Sequence, residues 1–225
     1  MSTYLILNLA SIAFPLALSF DRKVAFYRKW PAVFPAVGVV ALAYLVWDVI
    51  VTARGDWSFN PKHFGKVKIF GLPIEEMLFF VTVPYACLFI FEVVRAYFPE
   101  GVVPFPRLLA FALAAAAIAA ALVFRRRDYT FLVFLSVAVL FLTGGIFFPG
   151  LLQSRHFWLY LGISYLPFLI VNGVLTGIPV VLYNPDEILG IRVITIPLED
   201  FFYNLSMLGL CGMAYAAFRQ IIPVR

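Results

Sequence analysis

Seven apolar runs, each close to the length of a bilayer crossing, divide the chain. They cover about 4–20, 32–53, 73–98, 106–124, 129–148, 157–178 and 197–218. A hydrocarbon core of about 30 Å takes about 20 residues of α-helix, so each run predicts a transmembrane helix. Most charge collects between the runs, in Asp21–Trp30, Arg54–Leu72, Phe98–Phe105, Arg125–Asp128, Pro149–His156 and Pro179–Ile196. The first run reads as a helix rather than a signal peptide. Met1-Ser2-Thr3 carries no base, and Asp21, Arg22 and Lys23 follow the run instead of preceding it. The Ala-rich fourth run reads as a connector.

Composition supports this pattern. Of the residues, 64% are hydrophobic and 13% charged, against about 45–50% and about 25% in soluble domains. The expected fold is therefore an all-α integral membrane protein of about seven transmembrane helices, multi-pass in the cell membrane. The net charge of +5 fits loops beside anionic lipid and does not call for nucleic acid. The basic residues divide almost evenly between the two sides, so they set no orientation. Cys87 and Cys211 fall inside runs without a C-x-x-C and read as small apolar residues.

A shift of 124 residues superimposes one part of the chain on another. Asn60-Pro61 falls on Asn184-Pro185, and Pro73-Ile74-Glu75-Glu76 on Pro197-Leu198-Glu199-Asp200. Thr52 falls on Thr176, Phe59 on Tyr183, Lys68 on Arg192, Phe79 on Tyr203 and Cys87 on Cys211, while Asp48 meets Asn172. The organisation read from this is a first three-span repeat (1–98), a linker with the fourth span (99–127), and a second three-span repeat (128–225). One linking span makes the repeats parallel. Both acidic pairs and both Asn-Pro turns are then expected near one face.

Acids within or at the ends of spans are functional candidates, because a charge in the bilayer is costly. They are Asp48, Glu75, Glu76, Glu92, Glu199 and Asp200. Glu92 has a structural explanation, a snorkelling pair with Arg95 three residues on. Each acidic pair follows a Pro suited to a helix start, where the helix dipole favours anions. That alone would make them caps, but their duplication argues for chemistry. Adjacent carboxyls in a low-dielectric site repel, which favours one remaining protonated as a general acid. The catalytic candidates are Glu75, Glu76, Glu199, Asp200 and Asp48.

Supporting candidates surround them. Thr52 lies one turn from Asp48 and either orients a carboxyl or bonds its own helix; Thr176 and Asn172 are the second-half counterparts. Asn60 and Asn184 are turn formers whose amides are also candidates to brace the carboxyls. Trp47, Phe79, Phe80, Phe202 and Tyr203 form either an interfacial belt or a pocket whose ring faces stabilise a cation, each by about 0.5–2 kcal/mol. No G-x-G-x-x-G occurs, so no nicotinamide or flavin fold is expected. Two histidines are too few for a His-rich di-iron centre, no D-x-x-x-D suggests a diphosphate site, and no Lys follows Lys68 to carry a retinal. Neither a cofactor nor a metal is expected at the site. A 3+1+3 transporter using the same acids remains a competing reading.

Taken together, Trp47-Asp48-x-x-x-Thr52, Phe59-Asn60-Pro61, Leu72-Pro73-Ile74-Glu75-Glu76-x-x-Phe79-Phe80 and Pro84-Tyr85-Ala86-Cys87 resemble the first half of the membrane-embedded lycopene β-cyclases. Tyr183-Asn184-Pro185-x-Glu187-Ile188-Leu189-Gly190-Ile191-Arg192 and Ile196-Pro197-Leu198-Glu199-Asp200-Phe201-Phe202-Tyr203 resemble the second half, so the chain looks like the fused form. The resemblance implies a lipophilic C40 polyene substrate held in the bilayer. It implies a redox-neutral, acid–base closure of the ψ end groups of lycopene to β-ionone rings, an isomerase reaction without flavin or metal. A hydratase on the same scaffold is the nearest variant. Self-association, or association with other carotenoid enzymes, is compatible with the resemblance. Because Asn172 replaces the Asp48 carboxyl, one site shared between the halves is expected rather than two.

Overall fold

Helices fill all seven apolar runs in the computed structural model, which describes residues 1–222; positions 223–225, assigned above to the second repeat, lie outside the described residues. The helices are α1 (Thr3–Leu18), α2 (Trp30–Arg54), α3 (Ile74–Tyr97), α4 (Arg107–Val123), α5 (Asp128–Phe147), the four-residue α6 (Pro149–Leu152), α7 (Arg155–Gly177) and α8 (Leu198–Ile221). The fold is all-α and membrane-compatible. Five helices, α2, α3, α5, α7 and α8, are long and apolar enough to cross a bilayer. The other two apolar helices among the described residues, α1 and α4, are shorter. With 16 and 17 residues, α1 and α4 reach only about 24–26 Å, short of a core of about 30 Å. Helix α1 is capped by Ser19, whose hydroxyl donates to the Pro15 carbonyl (2.6 Å) and pairs with the Tyr85 hydroxyl (2.6 Å). Helix α4 stops just before Arg125-Arg126-Arg127.

The internal repeat reappears in the connections. Strands β1 (Trp57–Phe59), β2 (Lys68–Ile69) and β3 (Leu72–Pro73) recur as β4 (Val181–Tyr183), β5 (Arg192–Val193) and β6 (Ile196–Pro197), and α3 recurs as α8, all displaced by the same 124 positions. These strands were not read from the sequence, since two or three residues carry no alternation. β2–β3 and β5–β6 are hairpins, whereas β1 pairs antiparallel with β4, Trp57 opposite Tyr183 and Phe59 opposite Val181. That pairing gives both long loops backbone partners and ties one half to the other. Hairpin tips at Phe70-Gly71 and at Ile194 take positive φ, +51°, +85° and +61°.

Helix packing also crosses between halves. Within each half α1 packs on α3 and α5 on α8; between halves α2 packs on α8 and α3 on α7, while α4 lies against α5. Contact between α5 and α8 depends on Gly209, where a Cβ would come within 2.5 Å of a Leu140 methyl. Small residues permit such approach between membrane helices. Gly209→Ala is expected to cost about 1–3 kcal/mol through overpacking, measurable as a lower unfolding midpoint of the solubilised protein; an unchanged midpoint would show that Leu140 gives way freely.

Glu92 pairs with Arg95 as expected, but deeper in the fold and with more partners. It is 2% exposed rather than at the surface. Its carboxylate accepts from Lys29 ahead of α2, from Arg95 (3.3 Å) on its own helix, and from Arg219 (3.1 Å) and Tyr215 (3.0 Å) on α8. Glu92 is therefore a buried anchor joining three segments.

Candidate active site

The two acids of each pair separate by function. Consecutive helical residues point about 100° apart, so Glu75 and Glu76, like Glu199 and Asp200, face different surroundings. Glu75 Oε1 accepts from the Ser2 hydroxyl (2.6 Å) and the Gly65 N–H (2.7 Å). Glu199 Oε1 accepts from Thr130 (2.7 Å) and the Leu189 N–H (2.5 Å). In both repeats the first acid thus fastens the start of its helix to a loop ten residues back and to the first helix of its half.

The second acid of each pair faces a cavity of about 410 Å³. Glu76 accepts from the Tyr4 hydroxyl. Asp200 accepts from Tyr129 (2.6 Å), Tyr183 (2.8 Å) and the Asn172 amide (3.0 Å). Desolvation and the neighbouring Asp200 carboxylate hold the Tyr183 hydroxyl well above the usual tyrosine range, so it remains a donor. Tyr4, Tyr129 and Tyr183 all line the cavity with the two acids. They were absent from the sequence candidates. The available signal was a tyrosine near the start of the first helix of each half, but Tyr4 and Tyr129 lie 125 positions apart, one residue out of step with the repeat.

Most of the remaining wall is apolar or aromatic, including Phe79, Phe80, Trp57 and Tyr203. It draws on α1, α3, α7 and α8 and on β1 and β4, so both halves enclose one space. Phe14 on α1 and Ile170 on α7 also line it, yet they are 77% and 69% exposed on the outer surface. Helices α1 and α7 both pack on α3 but touch each other little. The cavity therefore opens sideways between them, toward lipid.

The other candidates are distributed around this space. Asp48 is buried behind the wall, accepting from Trp57 Nε1 (2.9 Å) and Thr52 (3.2 Å), with its second oxygen unpartnered. Thr52 thus orients a carboxyl, whereas Thr176 donates to the Asn172 carbonyl (2.8 Å) and pairs with Thr195. Trp47 packs behind Tyr203 at 5.2 Å between ring centres, and Phe202 packs on Phe134, also at 5.2 Å. The suggestion that Asn60 and Asn184 brace the carboxyls is corrected. Their side-chain oxygens accept from the N–H groups of Lys62 and Asp186 (both 3.1 Å), closing turns, and the Asn184 amide donates to the Gly55 carbonyl. An Asn-Pro turn uses its own amide locally.

A family model described as Lycopene cyclase matches residues 1–94 and 126–218, that is, both repeats with the linker helix left out. No curated protein and no solved structure matches the chain.

Proposed function

The chain belongs to the lycopene cyclase family, and from that premise we propose that it closes ψ end groups of lycopene to β-ionone rings by proton transfer alone, giving γ- and then β-carotene. In this reading the two units 1–98 and 128–225 stand parallel in the cell membrane, joined by 99–127, and share one catalytic cavity. The observation that carries it is the cavity itself: one carboxyl from each repeat, Glu76 and Asp200, in an aromatic enclosure open to lipid between α1 and α7.

A polyene enters through that opening with one end group leading, its remaining length lying in the bilayer. Glu76, with a single tyrosine donor and an apolar surround, gives its proton to the terminal double bond. The carbon cation that forms is attacked by the neighbouring double bond, closing a six-membered ring with the charge moved onto a ring carbon. Asp200, already the acceptor of three hydrogen bonds, takes the adjacent ring proton, and the ring double bond forms. One proton enters and one leaves, so the product is an isomer and no electron is transferred. Phe79, Phe80 and Tyr203 present ring faces to the cation, each contributing about 0.5–2 kcal/mol, and exclude the water that would trap it as an alcohol. Asp48, held by Trp57 and Thr52, supports the wall from behind and does not reach the substrate.

The transporter reading has less support. Discontinuous helices mark many transporter sites, but α3 and α7 run unbroken through Pro84 and Pro167, and the acids sit at helix starts. The test is expression in a lycopene-accumulating host with chromatography of the pigments. Cyclised carotene is the expected result, unchanged lycopene counts against the proposal, and a hydroxylated product would favour a hydratase. A second prediction concerns entry. Ile170→Trp fills the opening and is expected to raise KM for lycopene severalfold with kcat little changed. An unaltered KM would mean that the substrate does not pass between α1 and α7.

A further inference from the structure

Outside the cavity, three carboxylates meet in the loops that join the two halves. Asp56 lies between α2 and β1, Asp128 opens α5, and Glu187 lies between β4 and β5; one oxygen from each falls within 4.8 Å of the others. Two of them have local explanations. Asp128 sits at a helix start, favoured by the dipole, and pairs with Arg54 at 3.3 Å. Glu187 accepts from the Asp128 N–H at 2.6 Å. Asp56 has no such explanation. It is 2% exposed, and its Oδ2 is buried without a hydrogen-bond partner. A buried carboxylate oxygen without a partner is unfavourable unless enough positive charge faces it. Arg127, next to Asp128, sends its guanidinium to the Ile188 carbonyl instead. Three carboxylates against the single Arg54 guanidinium leave two negative charges, the complement of one divalent cation.

We propose that Asp56, Asp128 and Glu187 bind one Ca²⁺ ion that clamps the first repeat to the second. An all-oxygen, carboxylate set selects a hard cation. Separations of no more than 4.8 Å are compatible with one shared ion, and ligands drawn from three different segments suit the flexible shell of Ca²⁺ better than the near-ideal octahedron that Mg²⁺ demands. Asp56 comes from the first repeat, Asp128 and Glu187 from the second, and water completes the shell. The clamp stands at the end of the β1–β4 pairing, where the Asn184 N–H already donates to the Asp56 carbonyl (2.8 Å). Trp57, the next residue, lines the cavity and donates to Asp48, so the ion would hold the cavity wall in position without touching substrate.

The test uses the full chain in detergent, stripped with a chelator and titrated with CaCl₂ by calorimetry and with Tb³⁺ by luminescence excited through Trp57. One Ca²⁺ per chain, tighter than Mg²⁺, with a rise in the unfolding midpoint of several degrees, is expected. Asp56→Asn should weaken binding at least about tenfold, the order seen when a metal site loses a supporting group. Should that variant fail to fold, Asp128→Asn and Glu187→Gln carry the same expectation. Absence of binding to the wild type at millimolar Ca²⁺, or equal affinity in the variants, would overturn the proposal. Neither outcome decides whether the chain cyclises lycopene, which the pigment assay tests separately.

Discussion

Glu76→Gln is expected to slow cyclisation by about 10²–10⁴-fold, the usual worth of a general acid, while the protein still inserts and folds. The amide keeps the shape of the side chain and can still accept from Tyr4, which donates to Glu76 across the α1–α3 contact. What it loses is the transferable proton, on the one acid of the first pair that lines the cavity. Glu75→Gln is the informative contrast. Its Oε1 is occupied by Ser2 and the Gly65 N–H, and a Gln carbonyl accepts both, so most activity should survive. Initial rates of ring formation, normalised to folded protein, decide between them. Equal loss in both variants would mean that the pair acts as a unit and that the division of labour argued from geometry is wrong.

Glu92→Gln is expected to destabilise the protein by about 3 kcal/mol. Breaking a buried ion pair by removing one partner costs about 3–5 kcal/mol, and the lower figure applies here because Lys29, Arg95 and Arg219 reach solvent, with side chains 20%, 40% and 28% exposed. Without the carboxylate, three cations from the approach to α2, from α3 and from α8 face one another. The measurement is the denaturation midpoint in detergent. Adding Lys29→Met to the variant should recover part of the loss, since it removes one of the stranded charges. A Glu92→Gln protein as stable as the wild type would show that the cations relax into water without cost.

Much of this was legible in the sequence, and the parts that were not have definite physical reasons. Seven apolar runs announced seven helices, and the doubled Pro-x-Glu-acid motif announced a repeat that returns in the structure strand by strand. The run lengths overstated α1 and α4, because apolar residues such as Phe20 and Phe124 continue past the last helical turn. Sequence could not say which of two adjacent acids faces the cavity, since that depends on what surrounds the helix and not on the helix itself. Nor could it supply the tyrosines: Tyr4 and Tyr129 reach the acids from 72 and 71 residues away, and the repeat slips by one position there. The full role of Glu92 was hidden for the same reason. Its neighbour Arg95 is visible in sequence, but Lys29 and Arg219, 63 and 127 positions distant, are not.

In the proposed reaction a carboxyl proton enters the substrate and a different proton leaves the ring. Enzyme equilibrated in deuterated water and held in excess over lycopene tests it in one turnover. Each ring formed should carry one deuterium, read as a mass increase of one unit per ring in the purified carotene. Cyclised product with unchanged mass would contradict it, because no protonation by an exchangeable acid would then have begun the reaction.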